Sequence, residues 1–224
     1  MSDIVYNDNL INMIGVSEPL YSAEFKKKKL FFIRTLIVGI FVIAVLLAET
    51  LFVTFYTGIY IIDGSMTPTL TGATSPYSKG GDYIYINTRV KPAYGDIVVV
   101  YSPNTSNGYT DKLIKRVVAF GGDTVELIQG VLKVNGKEVK ERYIIEEKNN
   151  PNDEYNTFRE HKVAEGCMFL LGDNRNESRD SRDIRYGDVP MKNLVGVVPN
   201  WSLRTKSSST AFYAFFHFTL LGIN

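Results

Sequence analysis

The stretch that decides the architecture is LFFIRTLIVGIFVIAVLLA, residues 30–48, which is apolar except for Arg34 and Thr35. As a helix rising ~1.5 Å per residue it extends about 28 Å, close to the roughly 30 Å hydrocarbon core of a bilayer. Lys26–Lys29 precede it directly. This basic cluster and the all-round apolar surface predict one transmembrane helix rather than the buried helix of a soluble protein.

The position of this helix favours an uncleaved anchor over a removable leader. It starts late in the chain, and no Ala-x-Ala site lies between it and Ser65. Basic residues beside a span stay in the cytoplasm, so the residues after Glu49 are expected on the extracytoplasmic side of the plasma membrane. We therefore expect a single-pass protein with a cytoplasmic segment 1–29, an anchor 30–57, an outer domain 58–204 and an aromatic tail 205–224.

Beyond residue 58 short alternating apolar runs predict a mainly β outer domain. Gln129-Gly130 and Asn135-Gly136 supply turns between strands, and the polar residues 146–161 are typical of a surface loop. Residues 211–221 are too short to span a membrane and fit either a membrane interface or a last strand. The predicted strands are Tyr83–Ile86, Ile97–Tyr101, Thr124–Ile128, Val131–Val134, Cys167–Leu171 and Leu194–Val198.

Composition excludes several classes of function. A formal net charge of +1 excludes a strongly basic nucleic-acid binder. The single cysteine, Cys167, excludes an internal disulfide and a multi-cysteine metal site, and we expect it to be a core residue. His161, expected on the surface, and His217 have no spacing typical of zinc or of a Ser-His-Asp triad. We therefore expect chemistry without a metal or an organic cofactor.

Two segments contain candidate catalytic residues. Ser65 lies in Gly64-Ser65-Met66-Thr67-Pro68-Thr69-Leu70, a sequence typical of an exposed turn. Lys115 lies in the apolar run 113–120, which predicts a buried strand with Lys115 and Arg116 on opposite faces. An ordinary lysine needs about 4.6 kcal/mol to be neutral at pH 7, and burial can lower its pKa by that order. A neutral lysine beside Ser65 could accept the hydroxyl proton.

Taken alone, each segment also has a structural explanation: turn serines are common, and a lysine can reach solvent from a strand edge. A third segment, Gly172-Asp173-Asn174-Arg175-Asn176-Glu177-Ser178-Arg179-Asp180-Ser181-Arg182, is a polar loop dense in small hydrogen-bonding residues. A fourth, Gly95–Val100, is a turn into a core strand. Together, in this order and behind an anchor, these segments resemble the type I signal peptidases over roughly residues 30–200.

The resemblance implies a β-rich, LexA-like catalytic domain and a Ser-Lys dyad serine protease. Ser65 would form the acyl-enzyme, with neutral Lys115 as general base. Ser178 matches the serine that orients the lysine. Asp180 and Arg182 match a pair supporting the active-site wall, and Asp173 and Arg175 match structural members of the same loop. The residues matching the shallow pocket for small side chains, which would select Ala-x-Ala sequences, are Ile61, Met66, Leu70 and Ile114.

One position departs from the resemblance. Some type I signal peptidases have a serine two residues before the nucleophile that stabilises the oxyanion, whereas this chain has Asp63. Either Asp63 points away, so that backbone N–H groups such as that of Ser65 serve as donors, or the enzyme is slower, and we expect the first.

The expected partners are signal-peptide-bearing preproteins and the lipid bilayer, with no nucleic acid and a monomeric enzyme. Two other interpretations stay open. One is a LexA-like self-cleaving peptidase, which would be soluble and carry a DNA-binding domain. The other is a non-catalytic, membrane-tethered assembly factor, which would work without the Ser65 hydroxyl.

Overall fold

The computed structural model describes residues 18–74, 80–103, 111–144 and 157–206. The chain forms two compact units, Met1–Thr54 and Phe55–Asn224. Among the described residues, the first unit contains one long helix, and the second contains eleven β-strands with short helical turns and a helical segment at residues 200–206.

Helix α1, Glu18–Phe55, extends the predicted apolar helix at both ends. Its apolar side chains are exposed along its length. Among the described residues it supplies one stretch, Ser22–Phe55, that is long and apolar enough to cross a membrane. Threonine hydroxyls within the helix donate to the backbone one turn earlier, as Thr50 Oγ1 does to the Leu46 carbonyl at 2.8 Å. Such bonds satisfy the hydroxyl groups without requiring water.

The second unit confirms the predicted β-rich domain. The seven-stranded sheet has the order β1-β2-β11-β3-β4-β9-β10, the four-stranded sheet has the order β7-β6-β5-β8, and the strand pairs in both are antiparallel. The strands are β1 (Tyr56–Tyr60), β2 (Tyr83–Asn87), β3 (Ile97–Tyr101), β4 (Lys112–Phe120), β5 (Thr124–Ile128), β6 (Val131–Val134), β7 (Lys137–Glu138), β8 (Phe158–Lys162), β9 (Cys167–Leu171), β10 (Val189–Pro190) and β11 (Leu194–Val197).

Local sequence explains the hairpins of the smaller sheet. Gln129 and Gly130 have φ of 47° and 83°, and Asn135 and Gly136 have φ of 51° and 73°. Left-handed backbone at both positions of a two-residue loop matches the twist of the strands that it joins. The predicted turns between β5, β6 and β7 are therefore confirmed.

The surface-loop prediction for residues 146–161 is wrong at its end, because Phe158–Lys162 forms β8 and pairs with β5. The sequence of β8 is mostly polar, so it resembles a loop. Phe158 is its apolar contact, and it packs beside Phe169 with 5.3 Å between ring centroids. His161 is partly exposed and is hydrogen-bonded to Asp188 at 2.8 Å. Residues 145–156 lie outside the described residues, as do 207–224, which contain the aromatic stretch and His217.

The described residues of the second unit form three apolar clusters. One lies between the turn at residues 64–70 and the strands β2 and β3, and it includes Ile61, Met66 and Leu70. A second fills the space around β5 and β9, where Cys167 is half-buried rather than fully enclosed. The third packs β3 against β9 and β10. Strand β4 runs between β3 and β9, and therefore crosses the middle of the larger sheet.

Candidate active site

Ser65 lies in a tight turn beside the first apolar cluster. The Thr67 N–H donates to the Gly64 carbonyl at 3.1 Å, and the Leu70 N–H donates to the Met66 carbonyl at 2.9 Å. These bonds hold the backbone on both sides of the serine. Ser65 is only 4% exposed, so its hydroxyl sits in a largely desolvated environment.

Lys115 projects from the centre of β4, opposite Val98 of β3. Its Nζ is hydrogen-bonded to Ser65 Oγ at 2.8 Å and donates to the Ile114 carbonyl at 2.9 Å. Lys115 is also 4% exposed. The structure thus brings the two candidate catalytic residues into direct contact, although 50 positions separate them in the chain.

Burial lowers the pKa of Lys115, and desolvation of the ammonium is the main cause. The charges of Asp180, Asp63 and Asp173 raise this pKa, and Arg182 lowers it. Within the described ranges, no carboxylate forms an ion pair with Lys115. The amine is therefore buried without a direct counter-charge, an arrangement that favours its neutral form.

The neighbouring cation, Arg116, is fully paired. Its Nε and Nη2 donate to the two oxygens of Asp173 at 2.8 and 2.6 Å, and its Nη1 donates to the Gly95 carbonyl at 2.6 Å. The guanidinium also lies over the Tyr143 ring, 3.9 Å from its centroid. Asp173 additionally accepts from Thr69 Oγ1 at 2.5 Å. This network links β4 to the turn that contains Ser65.

Asp180 and Arg182 form the pair that the resemblance implied. Arg182 Nε and Nη2 donate to Asp180 at 2.8 and 2.9 Å, and Nη2 also donates to the Arg175 carbonyl at 2.7 Å. Asp180 accepts from the Gly172 N–H at 3.0 Å. The pair therefore fixes the loop that follows β9 to that strand's end.

Ser178 does not make the hydrogen bond to Lys115 that the resemblance implied. Its Oγ is buried and has no hydrogen-bond partner in the part of the chain that the structure describes. It packs against Gly172 so closely that a Cβ added there would lie 2.2 Å from it. The Lys115 amine instead bonds to Ser65 and Ile114.

The expectation that Asp63 points away is wrong as well. Asp63 has a φ of 77°, and its Oδ1 accepts a hydrogen bond from the Ser65 N–H at 2.6 Å. Aspartate tolerates left-handed backbone and readily bonds to the N–H two residues on, which explains this turn. The acid therefore covers the N–H that was expected to face the oxyanion.

The four candidate pocket residues lie together. Ile61, Met66 and Leu70 belong to one buried cluster, and Ile114 packs against it. The described residues include no group of histidine, cysteine, aspartate and glutamate side chains able to hold a metal ion.

Sequence reasoning missed three residues around the site. The Asn174 N–H donates to the Ser65 carbonyl at 3.0 Å, and its Nδ2 donates to the Gly64 carbonyl at 3.0 Å. Glu141 forms an ion pair with buried Arg175 and accepts from the Tyr143 hydroxyl at 2.6 Å. Asn174 lies inside the polar loop and could have been suspected. Nothing local indicates Glu141 or Tyr143, because Arg175 and Arg116, the cations that they contact, are distant in sequence.

Most of the chain is similar to known peptidases. The family model described as signal peptidase, peptidase S26, matches residues 33–201. The "Probable thylakoidal processing peptidase 2, chloroplastic" of Arabidopsis thaliana is 37% identical over 59% of this chain and 34% of its own length. The "Probable signal peptidase I-1" of Synechocystis sp. is 34% identical over 61% of this chain and 66% of its own length.

A crystal structure of a signal peptidase I from Enterococcus faecalis V583 has 30% sequence identity and a TM-score of 0.41, covering 49% of this chain and 98% of that one. The alignments span a third to just under two thirds of the length of the two curated relatives. The family model alone covers well over half of the chain. The chain belongs to the signal peptidase family, peptidase S26.

Proposed function

We propose that this chain is a membrane-bound serine endopeptidase that removes N-terminal signal peptides from exported preproteins. The observation that carries the proposal is the 2.8 Å hydrogen bond between Ser65 Oγ and Lys115 Nζ, both in residues only 4% exposed. A desolvated amine in contact with a hydroxyl is the arrangement that activates serine without histidine. Family membership and the names of the relatives support the choice of substrate.

In the acylation step, Ser65 Oγ attacks the carbonyl carbon of the scissile peptide bond. Its proton passes to the neutral Lys115 Nζ, and a tetrahedral oxyanion forms. The C–N bond then breaks, and the Lys115 ammonium returns the proton to the departing amine. The signal peptide remains attached to Ser65 as an ester, and the mature protein leaves with a free N-terminus.

In the deacylation step, neutral Lys115 takes a proton from a water molecule that attacks the ester carbonyl. The C–O bond to Ser65 breaks, and the proton on Lys115 returns to the serine oxygen. The signal peptide leaves as a carboxylic acid. Both steps need an uncharged lysine at their start, so the lowered pKa of Lys115 is a requirement of the mechanism.

We propose that the apolar residues beside Ser65 select small side chains before the cut. Ile61, Met66 and Leu70 are almost fully buried and closely packed, so a substrate pocket beside the Ser65 nucleophile would be shallow. An apolar site of this kind accepts a methyl group, while a bulkier residue would require the core cluster to move. The expected substrate sequence is of the Ala-x-Ala type.

We propose that α1 anchors the enzyme with its N-terminus in the cytoplasm. Lys26–Lys29 lie near the start of the apolar stretch, where positive charges are retained on the cytoplasmic side. The catalytic unit would then face the extracytoplasmic side, where exported chains emerge. Protease added to right-side-out vesicles should digest the catalytic unit, and protease added to inverted vesicles should digest only the N-terminal segment.

The test of the activity is cleavage of a preprotein with an Ala-x-Ala site by the full-length protein in detergent. Wild type should cut at the predicted bond, and Ser65→Ala and Lys115→Met should not. Lys112→Met is the matched control, because Lys112 is an exposed lysine on the same strand. Undiminished cleavage by Ser65→Ala would overturn the proposal and favour a non-catalytic role. Cleavage of the enzyme itself, with none of the preprotein, would favour a self-cleaving peptidase.

A further inference from the structure

The contact between Asp63 and Ser65 covers the Ser65 N–H, a backbone donor that the proposed reaction would use. The Ser65 N–H donates to Asp63 Oδ1 at 2.6 Å. The Asp63 backbone is held in place because its N–H donates to the Ala73 carbonyl at 3.0 Å. Gly72 packs directly against it, since a Cβ added there would lie 1.6 Å from the Asp63 carbonyl oxygen. Movement of the carboxylate is therefore left to the side chain.

The reaction and the observed contact compete for one donor. The N–H of the nucleophilic serine is a common donor to the oxyanion in serine proteases. The Asp63 carboxylate occupies that donor, and its negative charge would oppose an oxyanion placed beside it. The Ser65 N–H can stabilise the transition state only after this carboxylate has turned away.

We propose that Asp63 is a gate on the oxyanion site, closed over the Ser65 N–H in the free enzyme and displaced when substrate binds. The inference rests on the proposed function, because it concerns the same reaction. Asp63 is exposed, so its carboxylate can turn into water. The free enzyme therefore has a less reactive active site, and part of the binding energy of a preprotein is used to displace the Asp63 carboxylate.

Asp63 has a second, separable influence on the same site. Its charge raises the pKa of Lys115, as do the charges of Asp180 and Asp173, whereas Arg182 lowers it. Removing the Asp63 carboxylate therefore increases the fraction of neutral lysine at a given pH. This effect disappears on the alkaline plateau of the pH–rate profile, where Lys115 is neutral in every variant. An effect of the gate persists on that plateau.

The experiment compares plateau values of kcat/KM for preprotein cleavage by full-length wild type, Asp63→Gly and Asp63→Asn. Glycine and asparagine, the two replacements, both accept the left-handed backbone of position 63. Asp63→Gly uncovers the N–H and should raise the plateau roughly tenfold, the size of one lost hydrogen bond to a charged group. Asp63→Asn removes the charge but keeps an acceptor, and should raise it by less. Asp111→Asn, the loss of an exposed carboxylate before β4, should leave it unchanged.

A binding measurement checks the gate without relying on turnover. A peptide aldehyde forms a tetrahedral adduct with a serine, whereas the corresponding alcohol does not. Asp63→Gly should bind the aldehyde more tightly than wild type by the same factor, with unchanged affinity for the alcohol. A plateau equal to or below that of wild type with a normal melting temperature would overturn the gate.

A plateau equal to or below that of wild type together with a lowered melting temperature would assign Asp63 a purely structural role, which would also overturn the gate. The proposed function is tested separately by Ser65→Ala. If wild type cleaves and Ser65→Ala does not, failure of the Asp63 variants counts against the gate alone. If wild type and Ser65→Ala behave alike, the proposed function falls, and the gate falls with it.

Discussion

Lys115 and Arg116 are adjacent residues on β4, and both are almost fully buried. Their surroundings differ, because within the described part of the chain Arg116 is paired with a carboxylate and Lys115 is not. Arg116 meets both oxygens of Asp173, a backbone carbonyl and the face of Tyr143. Lys115 meets a hydroxyl and a backbone carbonyl, and its pKa is lowered by burial. The two positions therefore differ in their partners: Arg116 has a carboxylate counter-charge, and Lys115 has no directly paired carboxylate among the described residues.

The difference matches the chemistry of the two side chains. A guanidinium stays protonated in proteins and offers a planar fork to a carboxylate, so it suits a permanent structural link. An amine can lose its proton when desolvated, and it can then act as a base. In this structure Arg116 links β4, through Asp173, to the turn around Ser65, and Lys115 contacts the Ser65 hydroxyl.

The largest effect is expected from making position 115 resemble position 116. Lys115→Arg keeps a cation beside Ser65 but cannot supply a neutral base, so preprotein cleavage should fall by at least about a thousandfold. Initial rates at several pH values provide the measurement. Activity within tenfold of wild type at neutral pH would show that proton acceptance by residue 115 is not required.

A large loss of stability is expected from breaking the structural pair. Arg116→Met leaves Asp173 buried without its counter-charge and should lower the free energy of unfolding by about 3–5 kcal/mol. Arg185→Met is the matched control, because Arg185 pairs with Asp183 but its side chain is 62% exposed. That control should cost no more than about 1 kcal/mol. Denaturant titration measures both, and equal losses would remove the distinction between the two environments.

Removal of the Lys115 amine should increase stability, whereas removal of the Arg116 guanidinium should decrease it. The pKa of Lys115 is lower in the folded protein than in the unfolded chain, so a protonated Lys115 opposes folding at pH values below the unfolded pKa. Lys115→Met should therefore raise the melting temperature at pH 7. The advantage should shrink as the pH approaches about 10.4, where the unfolded lysine also becomes neutral. A pH-independent difference between the two melting curves would contradict this linkage.

The smallest effect is expected from the charges around the amine. Arg182 lowers the pKa of Lys115, and it is paired with Asp180, whose charge raises it. Arg182→Gln should thus move the ascending limb of the pH profile of kcat/KM to higher pH. Arg185→Gln, which alters an exposed arginine, should leave the limb in place. A shift to lower pH would reverse the assigned sign.

The sequence predicted the parts of the site that depend on local pattern. Lys115 and Arg116 are the charged residues in an apolar run, so burial on a strand was predictable. The Asn135-Gly136 turn was predictable because both residues tolerate left-handed backbone, and the Gln129-Gly130 turn was indicated by its glycine between two strand-like runs. The motifs around Ser65 and Lys115 indicated a family, whereas the 2.8 Å contact between them required the fold.

Features that depend on distant contacts were not predictable. Strand β8 is polar and forms because it pairs with β5, so its pattern resembles that of a loop. Glu141 meets Arg175 across 34 positions, and no local motif indicates their contact. The direction of the Asp63 side chain follows from a φ of 77° that the surrounding turn imposes. In each case tertiary structure decides between conformations that the local sequence permits.

The most direct test of the central claim is titration of the Lys115 amine by NMR in the full-length protein, with the signal assigned by its loss in Lys115→Met. We predict a midpoint below the ordinary lysine pKa of about 10.4, with the ascending limb of kcat/KM following the same curve. A midpoint at or above that value would mean that the amine stays charged at working pH. Lys115 would then be a second structural cation like Arg116, and the proposed mechanism would be contradicted.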